Sequence, residues 1–334
     1  MEKSDIAHVT IGDQIGRYGF PDGHPFGPHR LRVFWEEAMR LGLDAWVSTC
    51  TPVLASWADL VRFHTPDYLA LVQERSRTGM GYLDYGDTPA FPGVFDAASY
   101  VVGSALDAME KIMAGRCRRA FVPIAGLHHA RPERAGGFCV FNDPGVVIHA
   151  LREKHGVQRI AYIDIDAHHG DGVFYAFESD PDIIFVDLHQ DGHTLYPGTG
   201  SADERGKGGA EGSKLNIPLP PGANDAYFAR VWPPAVAFLN EQKPEFFILQ
   251  TGTDSIAGDP LTQLRLSSAT HFMVTTGIVQ LAESLGHGRV LALGGGGYNE
   301  KNVAKGWCEV VRALVETPVS ATGEKGGTGN TDTP

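Results

Sequence analysis

The sequence is poor in residues that staple or anchor a chain. It has four cysteines in 334 residues, Cys50, Cys117, Cys139 and Cys308. They lie far apart and form no C-x-x-C pair, so neither a disulfide framework nor a thiolate zinc site is suggested, and any metal would need nitrogen and oxygen ligands. No segment approaches the roughly 18 apolar residues of a membrane span. The start, MEKSDIAHVTIGDQ, lacks the basic lead and apolar middle of a secretion signal. The expectation is a cytoplasmic chain without membrane association. Basic residues are outnumbered, 28 Lys and Arg against 40 Asp and Glu, for a formal charge of −12. That balance repels phosphate backbones and disfavours a nucleic-acid partner. No Pro/Gly/Ser-rich linker separates two sets of strands, and no internal repeat is visible.

What is present is a globular composition, 43% hydrophobic and 20% charged, able to bury a large core. Five segments rich in Ile, Val and Phe read as buried parallel strands, at 118–126, 159–166, 182–189, 244–252 and 289–297. Helical patterns fall at 30–41, 94–114, 144–155, 224–240, 269–285 and 302–316. The clearest is 144–155, with Asp143 as N-cap, Pro144 in the first turn and Gly156 past the end. Strands alternating with helices imply α/β architecture: one mostly parallel sheet flanked by helices on both faces. One domain over 1–317 is expected, with a disordered tail at 318–334, where PVSATGEKGGTGNTDTP offers almost nothing apolar to anchor it.

In such sheets ligands bind beyond the carboxyl ends of the strands, and there the chain concentrates His and Asp. In IDIDAHHGDG (163–172) the alternation of a strand puts Asp164, Asp166 and His168 on one side. Buried carboxylates in an Ile-rich strand need a compensating charge, which a divalent metal supplies. The plainer alternative is that these aspartates cap neighbouring helices. In TGTDSIAGD (251–259), Asp254 follows another apolar run, as a further ligand or as a loop Asx-turn. Asp166, His168 and Asp254 together suit Zn²⁺ with a position left for water, and Fe²⁺ suits the same donors. GLHHARPERAGGFC (126–139) places His128 and His129 after a strand with Asp164 and Asp171 as candidate partners, an orienter and a base. LGGGGYN (293–299) lets backbone pass close to a ligand ahead of Tyr298. A phosphate cradle is the lesser reading of these glycines, because neither G-x-G-x-x-G nor G-K-[ST] occurs here.

These blocks, with LYPGTG (195–200), resemble in order the signatures of the zinc-dependent histone deacetylase family, including its bacterial acetoin-utilisation and acetylpolyamine-deacetylase relatives. The resemblance implies the arginase/deacetylase fold, with Asp166, His168 and Asp254 as zinc ligands, His129 as general base, His128 as its electrostatic partner and Tyr298 as the hydroxyl that polarises the carbonyl. It pairs Asp164 with His128 and Asp171 with His129. It also implies Phe138 and Tyr196 as tunnel walls, with Gly137 and Gly296 lining the substrate site, Leu261 at the rim, and Asp87 holding substrate backbone amides. Arg30 falls in the acetate-release channel; alone it reads as a helix-start ion pair. Structural K⁺ is implied at Asp164, Asp166, His168, Asp187 and Leu188. The partner implied is an acylated lysine peptide or a small acylated amine; an oligomeric state is not readable.

The chain also departs from the family pattern. Gly27 replaces the Lys of the inositol-phosphate site, and Asp187 replaces a Ser beside the potassium, altering its charge. Leu261 replaces the Glu of the polyamine-selective member, which argues against a polyamine substrate. Gly170 and Ile256 stand where arginase relatives carry carboxylates for a second metal. One catalytic zinc follows.

Overall fold

Eight strands form one sheet in the computed structural model, which describes residues 6–21 and 23–319. They are β1 (Ala7–Thr10), β2 (Ser48–Cys50), β3 (Arg119–Val122), β4 (Ile160–Asp164), β5 (Ile183–Gln190), β6 (Lys214–Leu219), β7 (Phe246–Gln250) and β8 (Val290–Leu293). Every neighbouring pair is parallel, in the order β2-β1-β3-β8-β7-β4-β5-β6. Strands β3, β4, β5, β7 and β8 are buried along their whole length, and these are the five that their apolar runs predict. Burying each Ile, Leu or Phe contributes about 1.5–3 kcal/mol. The other three are short or mixed. β1 and β2 offer too few residues for a pattern, and β6, KLNIPL, carries Lys214, Asn216 and Pro218 at a margin of the sheet.

The helices are α1 (Asp13–Gly16), α2 (Arg30–Arg40), α3 (Trp57–Leu60), α4 (Pro66–Thr78), α5 (Val94–Met113), α6 (Asp143–His155), α7 (Asp171–Ala176), α8 (Asp225–Gln242), α9 (Ser268–Ser284) and α10 (Glu300–Glu316). α10 packs on α9 and α2, α5 packs on α4 and α6, and both α5 and α10 reach β3. No helix among the described residues is long and apolar enough to cross a membrane. The tail expected over 318–334 lies, from residue 320 on, outside the described residues.

Two local features differ from expectation and bear on the site. The predicted strands run on to residues 126, 166, 252 and 297, but hydrogen-bonded strand stops at Val122, Asp164, Gln250 and Leu293. Their Gly- and Asp-rich ends are loops, which carry the polar side chains. The N-cap of α6 is Asn142, whose side chain accepts from the Gly145 N–H at 2.8 Å, rather than Asp143. Asp143 is instead the first helical residue, buried, and its carboxylate accepts from the backbone N–H groups of Gly126 and Leu127 at 2.8 and 2.9 Å. It fixes the turn that enters His128.

Behind this turn His64 is buried, with its Nδ1–H donating to the Arg131 carbonyl at 3.1 Å and its Nε2 accepting from the Asn142 N–H at 2.9 Å. Only the neutral ring fits this pattern, and burial lowers its pKa to about 3 against the carbonyls of Pro132 and Arg131. The sign follows: the unfolded chain binds the proton first, so this stability is complete above about pH 6.5 and is lost as pH falls toward 3. Urea titrations should show the protein losing about 2–3 kcal/mol more than a His64→Gln variant between pH 6.5 and 4.5. Parallel losses would remove His64 as the cause.

Candidate active site

Four loops meet at the carboxyl edge of the sheet. The loop after β4 supplies Asp166 and His168, that after β7 supplies Asp254, that after β3 supplies His128 and His129, and that after β8 supplies Gly296 and Tyr298. Asp166, His168 and Asp254 are buried, and each offers one ligand atom within 4.8 Å of the others. His168 Nδ1 stands 3.0 Å from Asp166 Oδ1 and 3.1 Å from Asp254 Oδ2. The rest of each carboxylate is tied down. Asp166 Oδ2 accepts from Gln250 Nε2 and from the Gly296 N–H, both at 2.8 Å, and Asp254 Oδ1 accepts from the Ala167 N–H at 2.8 Å. Backbone approaches so closely that a Cβ on Gly252 would lie 2.0 Å from Asp166 Oδ2, and one on Gly296 2.3 Å from Asp254 Oδ2.

Electrostatically this trio calls for a cation. Burial and the charge of Asp166 raise the pKa of Asp254 to about 7. Burial opposes charging His168, yet Asp254 and Asp166 push it up to about 10. Against its burial, the charges of His128 and His168 hold the Asp166 carboxyl well below the usual carboxylate range, and two carboxylate oxygens with one imidazole nitrogen are a donor set fitted to a divalent metal of the zinc type.

The adjacent histidines differ in their neighbours. His128 Nδ1 meets Asp164 Oδ2 at 2.7 Å, and Tyr162 donates to the same oxygen at 2.6 Å. Burial disfavours a charged ring, but Asp164 and Asp166 outweigh it and raise His128 to about 9. His129 Nδ1 meets Asp171 Oδ1 at 2.7 Å, while Asp171 Oδ2 accepts from Arg131 Nη2 at 2.7 Å. Burial and the neighbouring His128 lower His129 to about 4. Their Nε2 atoms lie 3.0 Å apart, so a charged His128 donates to a neutral His129. Asp164 thus faces His128 rather than joining Asp166 and His168, although alternation along the strand put all three on one side.

The remaining predicted residues fall in five places. Tyr298 shares a small cavity with His128, His129, Gly137, Asp166 and Gly296, its ring edge-on to Phe26 and Phe138 with centroids at 6.3 and 5.8 Å. Burial, Asp254 and Asp166 hold its hydroxyl pKa well above the usual value, so it remains a donor. Tyr196 and Asp87 line a neighbouring pocket of about 360 Å³ with His129 and Asp171, and Tyr196 stands edge-on to His129 at 5.1 Å. Gly137 fits between these rings, because a Cβ there would come within 2.3 Å of His129. Leu261 is exposed. Arg30 is buried between the rings of Phe26 and Trp307 and donates to the Gly295 carbonyl at 2.5 Å. Its carbonyl partner and ring cradle replace the helix-start ion pair. Asp187 lies opposite Asp164 in the β4–β5 register, with Oδ1 2.7 Å from His189 Nδ1 and Oδ2 accepting from the Gly170 N–H at 2.8 Å. Leu188 beside it is buried.

Sequence reasoning missed several supporting groups. Gln250 ends a fully apolar strand and could have been noticed by the rule that picked out Asp254. Asp259 accepts from the N–H groups of Tyr298 and Leu261, both at 2.9 Å. Arg131 and Tyr162 had no signal beyond their proximity to motif residues.

The histone deacetylase domain model matches residues 24–314. The chain is 36% identical to the acetoin utilization protein AcuC of Bacillus subtilis (strain 168), over 88% of this chain and 78% of that protein. It is 33% identical to the histone deacetylase clr6 of Schizosaccharomyces pombe, over 88% and 73%. Among solved structures, the HDA15 HD domain superposes with a TM-score of 0.84 at 26% identity, covering 95% of this chain and 91% of that one.

Removing one carboxylate should separate ligands from bystanders. After incubation with Zn²⁺ and dialysis, elemental analysis should find about one metal per chain in the wild type and less than about a tenth of that in Asp254→Asn. Full retention by Asp254→Asn would remove Asp254 from the ligand set.

Proposed function

The chain belongs to the histone deacetylase family, and from that premise we propose that it is a zinc-dependent amidohydrolase removing acetyl or short acyl groups from acyl-lysine in proteins or peptides. The observation that carries the reading is the convergence of Asp166, His168 and Asp254 beside two histidines held by different carboxylates. Asp166, His168 and Asp254 would hold a divalent cation, which when bound would supply Lewis acidity to the amide carbonyl and the attacking water. His129, kept neutral and oriented by Asp171, accepts the proton of that water and delivers it to the departing amine. His128 remains charged beside Asp164 and stabilises negative charge building up on the substrate. Tyr298, protonated, donates to the developing oxyanion.

The substrate assignment rests on the entrance. Asp87 and Tyr196 line the pocket that opens toward His129, where a carboxylate suits the backbone amides of a peptide. Leu261 at the exposed rim gives no charge with which to select a polyamine. Small acylated amines are the competing substrates. Structural K⁺ remains part of the proposal, with Asp164, Asp166, His168, Asp187 and Leu188 as its surroundings.

An acetyl-lysine peptide and N-acetylputrescine should be assayed side by side, with and without a chelator. Turnover of the peptide, loss on chelation and recovery with Zn²⁺ are expected; preference for the acetylated amine would reassign the substrate, and activity surviving complete metal removal would overturn the mechanism. Tyr298→Phe should lose about 100- to 1000-fold in kcat while keeping its metal. A kcat near wild type would remove the oxyanion role.

A further inference from the structure

Phe138, a wall of the acyl tunnel in the reading above, sits in a backbone conformation it would not choose. Its φ is +68°, in the left-handed region that favours glycine, directly after Gly137 at +50°. Such a residue persists only where its surroundings hold it. Both of its backbone polar groups are held. The Phe138 N–H donates to Thr88 Oγ1 at 3.1 Å, and its carbonyl accepts from the buried Tyr18 hydroxyl at 2.7 Å, which in turn accepts from the Val140 N–H at 2.9 Å.

Thr88 is fully buried, and its own hydroxyl proton goes to Asp84 Oδ2 at 2.6 Å. The other oxygen of Asp84 accepts three successive N–H groups, from Gly86, Asp87 and Thr88, at 3.0, 2.8 and 2.9 Å. One carboxylate therefore shapes the turn that carries Asp87, and through the Thr88 hydroxyl the same turn grips the tunnel wall. His24 closes the circuit from the other side, with its ring edge-on to Phe138 at 4.5 Å.

We propose that Thr88, anchored by Asp84, is a positioning residue that couples the rim turn bearing Asp87 to the left-handed backbone of Phe138, so that the width of the acyl tunnel is set from the substrate-binding rim. This inference rests on the acyl-amide reading of the site. The chemistry it selects is the acyl group: a gripped wall favours acetyl, and a released wall admits longer chains.

The test is Thr88→Val in the full chain, which keeps the branched shape and removes both hydrogen bonds, beside Thr88→Ser, which keeps the hydroxyl. Amide exchange at Phe138 should quicken about tenfold or more in Thr88→Val, in line with the loss of one buried hydrogen bond. KM for an acetyl-lysine peptide should rise about tenfold with kcat within about threefold, and the acetyl-over-butyryl preference should fall by a similar factor. Thr88→Ser should recover most of each change. The coupling is overturned if Thr88→Val matches the wild type in exchange, KM and acyl preference, or if Thr88→Ser is altered as much as Thr88→Val. If Thr88→Val does not fold, Asp84→Asn serves in its place with the same expected directions. A wild-type protein that hydrolyses no acyl amide would sink the proposed function, while the exchange comparison would still decide whether Thr88 holds Phe138.

Discussion

Negative charge buried beneath an apolar sheet is the constraint around which the site is arranged. Asp164 ends the buried strand β4, Asp166 and Asp254 lie in the loops after β4 and β7, Asp171 opens α7, and almost nothing of these carboxylates reaches solvent. Left alone, each would be expelled or protonated. The fold answers by giving every one of them fixed donors: Gln250 and the Gly296 amide for Asp166, the Ala167 amide for Asp254, Tyr162 for Asp164 and Arg131 for Asp171. Gln250 and the two backbone amides are neutral, so these donors orient the charge of Asp166 and Asp254 without cancelling it. What remains is a cavity edge with a standing demand for a cation.

That demand also separates two chemically identical side chains. His128 and His129 are neighbours in sequence and touch through their Nε2 atoms. His128 looks onto a carboxylate whose other partner is a neutral tyrosine, whereas His129 looks onto one already shared with a guanidinium. The field on one ring is therefore more negative than on the other, and a single proton settles on His128. Division of labour between an electrostatic partner and a base needs no difference in residue type, only a difference in what stands behind each ring.

The five central strands, six of the seven long helices (α4 being the one not read) and the histidine and aspartate clusters were legible because each rests on a local rule: apolar runs, helical periodicity, polar residues just past a strand. Asp254 was readable for that reason, and Arg30 was not, since its burial between Phe26 and Trp307 comes from chain segments far apart in sequence. The misassigned cap shows the same limit. Asn142 and Asp143 are both good cap residues, and only the turn at residues 126–127, which gathers the Asp143 carboxylate, decides between them. Thr88 and Asp84 likewise look like ordinary turn residues until Phe138 is brought against them from the other side of the tunnel. Local chemistry announces itself in order along the chain, but support from a distant loop does not.

The margins of the sheet have a consequence of their own. A sheet with all its strands parallel leaves two unmatched rows of backbone groups, an invitation for another chain to zip on. Here one border, β2, is three residues long, and the other, β6, is interrupted by Pro218, which has no N–H to give. Growth of the sheet by recruitment of a neighbour is thereby blunted at both sides, so the buried Ile and Val of the central strands are not continued into an open pairing edge.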